Sequence, residues 1–319
     1  VREFAFELAL CTHLEGATDS IVARQLGAAV AAPGNRIVDA CLVEPGPEFD
    51  ARTAITPESI PALAIESGVG VGTDAYWKDA FDCHPDVARR VVDRAVEIGF
   101  FESRRRNGRE YVRRAVRYPD WFSRLIGVEN KPDLGRPGDL ERQLRTDASL
   151  ALFDEVYLAT GSYVTRAHLN RIPEAVGVWR FDPEKGEREV VREATPLAVS
   201  EPGIELVEER PLRTDVAVAS AAAKARKRRR IAERAYGKGW RTYDLPPCAR
   251  ASTTTDGRPR CAHFGRVVDP GSECGESCPG FEAAAAPDVD LDAIRDRRSP
   301  WVAEPTGVAR RQAGLDRFG

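Results

Sequence analysis

The sequence predicts an α/β protein, and three stretches carry that prediction. Residues 125–160 read as strand, helix, strand; residues 2–44 read as a buried helix and two apolar strands; residues 85–114 read as an amphipathic helix and a charged hairpin. At 319 residues, 42% hydrophobic and 30% charged, the chain has material for about two domains with a real core.

From Arg2 to Leu14, Phe4, Leu8 and Cys11 recur at helical spacing, Phe6, Leu10 and Leu14 widen the stripe, and Glu7 lies within it. Residues 20–26 read as a strand, Pro33-Gly34-Asn35 as a turn, and residues 36–44 as a second strand stopped by Pro45-Gly46-Pro47. Thr56-Pro57-Glu58-Ser59 reads as a helix start, and a second short helix carries Tyr76, Trp77 and Phe81. Residues 85–98 give a third, with Val87, Val91, Val92, Ala95 and Ile98 on its apolar face. Gly99 ends it, and Asn107-Gly108 is a hairpin turn between the runs around 100–106 and 109–114. A strand at Leu125–Val128 ends in Glu129-Asn130-Lys131-Pro132, a helix follows from Gly138 through Gln143 to Leu150, and residues 155–160 form a buried strand. A helix around 165–170, a strand at 176–181 and a hairpin back through 189–191 complete this region. Residues 211–240, rich in Ala and Arg, read as helix; residues 282–319 have few core residues and read as a partly disordered tail.

Charge narrows the function classes. Net charge is only −3, but positive charge is concentrated at Arg104, Arg105, Arg106, Arg109, Arg113, Arg114 and Arg117, and again from Lys224 to Arg230. Such clusters suit phosphate. Methionine is absent and Arg far outnumbers Lys, as in GC-rich, salt-adapted genomes. No apolar run approaches the roughly 18 residues of a membrane helix, and the first residues lack the layout of a signal peptide, so the expectation is a cytoplasmic protein without membrane contact. No Gly-rich phosphate loop and no nucleophile triad are present, and His13, His84 and His168 are isolated, which suits packing or surface roles.

Three helices followed by a basic hairpin resemble a winged helix-turn-helix domain, with residues 85–98 as recognition helix and Arg104, Arg105, Arg106, Arg109 and Arg113 as the DNA-binding wing. Cys11, Cys41 and Cys83 stand singly among apolar neighbours, as buried thiols do. Cys248, Cys261, Cys274 and Cys278 instead crowd into a Gly/Pro-rich stretch, and in a reducing compartment four such thiols suit metal better than disulfides. Zinc is the first choice and an Fe–S cluster the alternative, although compact CxxC pairs are lacking.

Asp39 and the triplet Glu129-Asn130-Lys131 each fall at an apolar strand, and Gln143 lies on the next helix. Residues two apart on a strand share a face, so Glu129 could hold a divalent cation while Lys131 lies beside a phosphate. Here the chain resembles the PD-(D/E)XK nuclease superfamily of restriction-endonuclease-like fold; as a whole it also looks like an uncharacterised haloarchaeal family of unknown function. The resemblance covers roughly residues 2–50 and 120–195 and implies an α/β/α core. Two aspartates compete for the first carboxylate, Asp39 by its place in the element order and Asp120 by the spelling Pro119-Asp120 before Glu129-x-Lys131. By the same resemblance Glu7 and Gln143 would be auxiliary. The implied organisation is a nuclease-like core at 1–54 and 119–210, an inserted winged helix at 55–118, a basic helix and Cys segment at 211–282, and a tail at 283–319.

The reading that results is a DNA endonuclease dependent on Mg²⁺ or Mn²⁺, with zinc or Fe–S at the Cys cluster. Many enzymes of this fold act as dimers, so a homodimer is compatible. The rival reading is a non-catalytic DNA-binding regulator on the same scaffold, and a third is an interaction protein whose basic faces meet an acidic partner.

Overall fold

The structure, a computed structural model, describes residues 2–32 and 34–304. In chain order it contains α1 (Glu3–Ala17), β1 (Ile21–Gly27), β2 (Ile37–Pro45), α2 (Phe49–Thr53), α3 (Ala62–Glu66), β3 (Ala75–Tyr76), α4 (Pro85–Glu97), β4 (Phe101–Arg106) and β5 (Arg109–Arg114). There follow β6 (Phe122–Asn130), α5 (Leu140–Leu150), β7 (Glu155–Thr160), α6 (Arg166–Leu169), β8 (Gly177–Asp182) and β9 (Glu187–Arg192). The remainder is β10 (Gly203–Arg210), β11 (Arg213–Ala219), α7 (Ala221–Lys238), β12 (Ala251–Thr253), β13 (Pro259–Cys261), β14 (Arg266–Val267), α8 (Pro270–Glu273) and α9 (Leu291–Arg298). The protein is mixed α/β, and no helix among the described residues is long and apolar enough to cross a membrane.

The chain divides into two compact units, Val1–Glu44 with Arg124–Pro300, and Pro45–Ser123 with the segment from Trp301. The sequence places the inserted region at 55–118; the second unit begins earlier and ends later.

The first unit is built on a six-stranded mixed sheet in the order β1-β2-β6-β7-β8-β9. β1 and β2 pair antiparallel, β6, β7 and β8 run parallel, and β9 returns antiparallel. Every second residue faces α1: Val22, Ala40, Leu42, Ile126, Val128, Tyr157, Ala159, Trp179 and Phe181 pack with Phe6, Leu10 and Leu14. Tyr157 and Trp179 stack at 4.0 Å between ring centroids across the parallel pair. Neighbouring strand residues point to opposite faces, and Asn130 reaches Glu7 of α1 while Glu129 reaches Asp147 of α5 through Arg36. Helices therefore cover both faces at the end of β6.

In the second unit β3, β5 and β4 form an antiparallel sheet in that order, packed on α3 and α4 through Ile55, Ile60, Val92, Ile98, Phe100 and Val112. Asn107 (φ 50°) and Gly108 (φ 74°) make the tip of the β4–β5 hairpin, the two positive φ angles that a two-residue turn of this kind needs. Arg52, fully buried, donates to the carbonyls of Thr56 (2.6 Å) and Glu58 (2.9 Å) and lies over Trp121.

Three local expectations are corrected. Residues 57–61 are not helical; α3 starts at Ala62 with Pro61 as its N-cap, since Ile60 precedes a proline and is biased to extended backbone. Tyr76 lies in β3, paired with Tyr111 and packed on its ring, and Trp77–Asp79 is one 3-10 turn. The helix expected over 211–240 starts only at Ala221, where Ser220 caps it by accepting from the Ala223 N–H at 3.2 Å. Before it, β10 and β11 form a hairpin. The tail is ordered at least to α9, where buried Arg295 donates to the carbonyls of Ala235 and Tyr236; residues 305–319 of the expected disordered tail lie outside the described residues. The singly placed histidines do pack or cap: His13 lies against Phe181, His84 caps α4 and His168 closes the capping box of α6.

Gly203 opens β10 against α5, where a Cβ would stand 2.1 Å from the Leu150 carbonyl oxygen. Gly203→Ala is expected to cost about 1–3 kcal/mol, as overpacking does, read as a lower urea midpoint with unchanged slope.

Candidate functional site

Where β1, β2 and β6 meet α1, polar side chains replace the apolar core. Glu7 projects from α1 and accepts from Arg24 Nε (2.5 Å), from Gln25 Nε2 at both oxygens (3.2 Å each) and from Asn130 Nδ2 (3.3 Å). Asp39, in β2, accepts from the Asn130 backbone N–H (2.9 Å) and from Gln25 Nε2 (3.4 Å). Gln25 reaches both carboxylates because it sits at φ 54°, a left-handed conformation rare outside glycine and concentrated at functional sites. Lys238 holds that turn, its ammonium donating to the carbonyls of Arg24 (2.9 Å) and Gln25 (2.8 Å). Asn130 Oδ1 is buried and has no hydrogen-bond partner among the described residues.

Glu129, one residue away and 1% exposed, points to the other face. Its Oε1 accepts from Arg36 and from the Asp39 backbone N–H (3.4 Å). Arg36 bridges on to Asp147 of α5, Nε to Oδ1 at 3.0 Å and Nη2 to Oδ2 at 2.6 Å. Four carboxylates (Glu7, Asp39, Glu129, Asp147) therefore meet two guanidinium groups (Arg24, Arg36) in one hydrogen-bonded cluster.

The acidities of these carboxylates are shifted, first by burial and then by their neighbours. Burial pushes Asp39 up to about 6; the Asn130 N–H opposes this and the Glu7 charge adds to it. Burial raises Glu129 well above the usual carboxylate range, with Arg36 pulling down and Asp39 and Asp147 pushing further up. Asp147 is raised by burial against the pull of Arg36. Burial alone would weaken the Arg36 proton, yet Asp147 and Glu129 outweigh it and raise Arg36 above its ordinary value.

The sequence-derived residues are only partly brought together. Glu7, Asp39 and Glu129 converge on the end of β6. Lys131 follows the last residue of that strand and does not share the face of Glu129; its ammonium lies 4.0 Å from Glu3 of α1. The shared-face argument fails because β6 ends at Asn130. Asp120 belongs to the second unit, exposed, its N–H held by Glu48, and it precedes β6 whereas Glu129 and Asn130 close it. From α5 it is Asp147 that reaches the cluster, one turn past Gln143. The sequence reading missed Arg24, Gln25, Arg36, Asn130 and Asp147; the four-residue step from Gln143 to Asp147, two positions on one helix face, was the available signal.

A cleft of about 660 Å³ opens beside this cluster, lined by Arg24, Phe4, Tyr243, Asp244 and Cys274 among others. A second, small cavity of about 20 Å³ is lined by all four clustered cysteines, Cys248, Cys261, Cys274 and Cys278. Burial, then the charges of Cys261, Cys278 and Cys248, raise the Cys274 thiol. Among the described residues no three His, Cys, Asp or Glu side chains close on one metal-sized point.

In the second unit the wing arginines differ in freedom. Arg113 is bonded to Glu102 (2.9 and 2.6 Å), Arg106 pairs with Asp74 (2.7 Å) and Arg109 lies over Tyr76. Arg104 and Arg105 have no ion-pair partner among the described residues, and Arg105 is exposed. On α4, Arg89 is bound to Asp93 and Glu110, and Arg94 to Glu97 and Glu58.

A family model described as a family of unknown function (DUF5787) matches residues 21–283, a span that includes Asp39, Glu129 and the four clustered cysteines. No curated protein and no solved structure matches the chain.

Two stability outcomes follow from the cluster. A carboxylate whose folded pKa lies above its unfolded value favours the fold while protonated, and that contribution is lost as pH rises through the folded value, here about 6 for Asp39. Asp39→Asn is therefore expected to stabilise the chelator-treated protein by about 1–2 kcal/mol at pH 8, after allowance for solvent screening, and by nothing at pH 4, in paired urea titrations. Arg36→Met should instead cost about 3–5 kcal/mol, because it strands two buried carboxylates.

Proposed function

We propose that this chain, which belongs to the DUF5787 family, is a divalent-metal-dependent deoxyribonuclease whose second unit helps to hold DNA. The observation that carries the reading is the charge imbalance around β6. Four carboxylates meet two guanidinium groups and the Lys238 ammonium, so with all of them ionised one negative charge is left uncompensated, with Asp39 raised to about 6 by burial and an acceptor, Asn130 Oδ1, buried without a donor among the described residues. The groups are hard oxygen donors, the set that Mg²⁺ or Mn²⁺ takes, and one or two carboxylates are the usual number for Mg²⁺.

Asp39 and Glu129 would hold the ion; Glu129 Oε2 accepts no hydrogen bond among the described residues and is free for it. Asn130 Oδ1, on the α1 face beside Glu7, would accept from a water on that side. When bound, the cation polarises the scissile phosphate and offsets charge on the leaving oxygen. Glu7 fixes Arg24, Gln25 and Asn130 around Asp39 and is a positioning residue. Lys131, a quarter exposed at the strand end, offers its ammonium to phosphate. Arg24, on the wall of the cleft, adds a guanidinium that lies over Phe4, beside Tyr243. The order α1, β1, β2, β6, α5, β7, with these residues at those places, supports the nuclease-like reading of the core.

The helices and three-stranded sheet of the second unit are compatible with a winged helix. Among the described residues its unpaired arginines include Arg104 and Arg105 on the wing and exposed Arg90 on α4, but α4 also carries Asp86, Asp93 and Glu97. Phosphate contact by the hairpin therefore fits better than a base-reading α4.

One observation favours the non-catalytic reading: Arg36 already occupies one oxygen of Glu129 in a buried network. A DNA-binding scaffold would keep that arrangement and cut nothing.

The test is cleavage of supercoiled, linear and branched DNA with Mg²⁺ or Mn²⁺. The wild type is expected to cut, Asp39→Asn to be slower by at least about 100-fold while still binding DNA, and the rate to climb with pH through about 6 and then level off as Asp39 loses its proton. Binding by every variant without cutting by any would establish the scaffold instead. Arg104→Ala with Arg105→Ala is expected to weaken binding on all sequences alike and to lower the log–log salt slope by about one for each phosphate that the wing no longer neutralises, in fluorescence anisotropy titrations.

A further inference from the structure

The cysteine segment lies outside the carboxylate cluster. We propose that Cys248, Cys261, Cys274 and Cys278 bind a single zinc ion in a closed, structural four-thiolate site.

The four residues come from separate turns of a segment with little else to hold it: β12, β13 and β14 are three, three and two residues long. Cys248 precedes β12; Cys261 ends β13, opposite Ala251; Cys274 and Cys278 follow α8. All four nevertheless line one cavity, and all four are free thiols rather than disulfides. At about 20 Å³ the cavity has room for a single water-sized occupant, which suits one ion and is small for a multi-iron cluster. Its other walls are mostly apolar, among them Pro246, Val268 and Phe281, with Ser252 and Arg260 also on the lining, and its ligating atoms are the four sulfurs.

Two backbone features fit thiolate ligation. The Arg250 N–H donates to Cys248 Sγ at 3.4 Å, from two residues on, which supports a sulfur bearing negative charge. Gly275, directly after Cys274, sits at φ 141°, where any side chain is strained, and lets the chain turn so that Cys278 returns to the cavity, with its N–H on the Gly275 carbonyl at 3.0 Å. As they stand the described side chains do not close on one point, so the site forms as the thiols turn about their single side-chain torsion toward the cavity. Four thiolates and no open position make a structural zinc site, whose binding energy is folding energy for a segment this poor in core.

The test uses the full chain as purified, without added metal. Elemental analysis is expected to give one zinc per chain and negligible iron, and replacement by Co²⁺ to give the intense visible bands of a tetrahedral thiolate site. Cys274→Ser and Cys278→Ser should each lose the zinc, while Cys83→Ser and Asp39→Asn keep it. Should the cluster variants fail to fold, titration of the wild type with a mercurial keeps the question open to measurement: zinc release, read with a chromogenic chelator, should be complete as four thiols are consumed. Iron with acid-labile sulfide, or a folded wild type with no metal and four thiols open to alkylation, would overturn the proposal. Zinc content is read without DNA and so stands or falls apart from the nuclease reading.

Discussion

Arg36 sets the geometry on which the candidate site depends. It enters at the start of β2, is buried, and ties the end of β6 at Glu129 to α5 at Asp147. Burying a charge is costly unless it is paired, and here one guanidinium is matched by two carboxylates. The network fixes where β6 ends relative to β2, and this places the Asp39 carboxylate on the Asn130 N–H. On the opposite face Glu7 does the corresponding work, gathering Arg24, Gln25 and Asn130 under α1. The end of one strand is thus held from both sides by charge.

This arrangement leaves charge and an acceptor incompletely paired at the end of β6, which lowers stability. A fold optimised for stability alone would balance the charges around Asp39 and satisfy Asn130 Oδ1; neither is done, and Gln25 is held in a left-handed conformation besides. Two other buried carboxylates of the described residues are fully paired. Glu15 receives Trp240 (3.0 Å), two bonds from Arg241 (2.8 and 2.6 Å) and Arg298 (2.9 Å), and Glu205 accepts the N–H groups of Val30, Ala31 and Ala32. The contrast separates structural charge from the incompletely paired cluster at β6.

The core was legible in the sequence because periodicity reports burial: α1, β1, β2, α4, the β4–β5 hairpin, β7 and β8 stand within a few residues of where their patterns put them. What failed was local competition. Helix-forming composition over 211–240 hid the β10–β11 hairpin, whose strands are defined by pairing with each other. The site was legible by residue type at Glu7, Asp39 and Glu129, and the thiols of the Cys cluster do line one cavity. Its partners were not legible, since Arg36, Gln25 and Asp147 are ordinary residues until the sheet order brings them to β6. Lys131 shows the limit of strand alternation as a rule: it holds inside a strand and lapses one residue past its end.

The central claim is that the charge deficit around Asp39 is a divalent-cation site. The most direct measurement is the binding of Mn²⁺ to chelator-treated protein, followed by electron paramagnetic resonance, beside Asp39→Asn and Asp120→Asn. The account requires one Mn²⁺ per chain at this site, lost with Asp39→Asn and retained with Asp120→Asn. A folded wild type that leaves all Mn²⁺ free in solution would contradict it and leave the cluster as a purely structural network around Arg36.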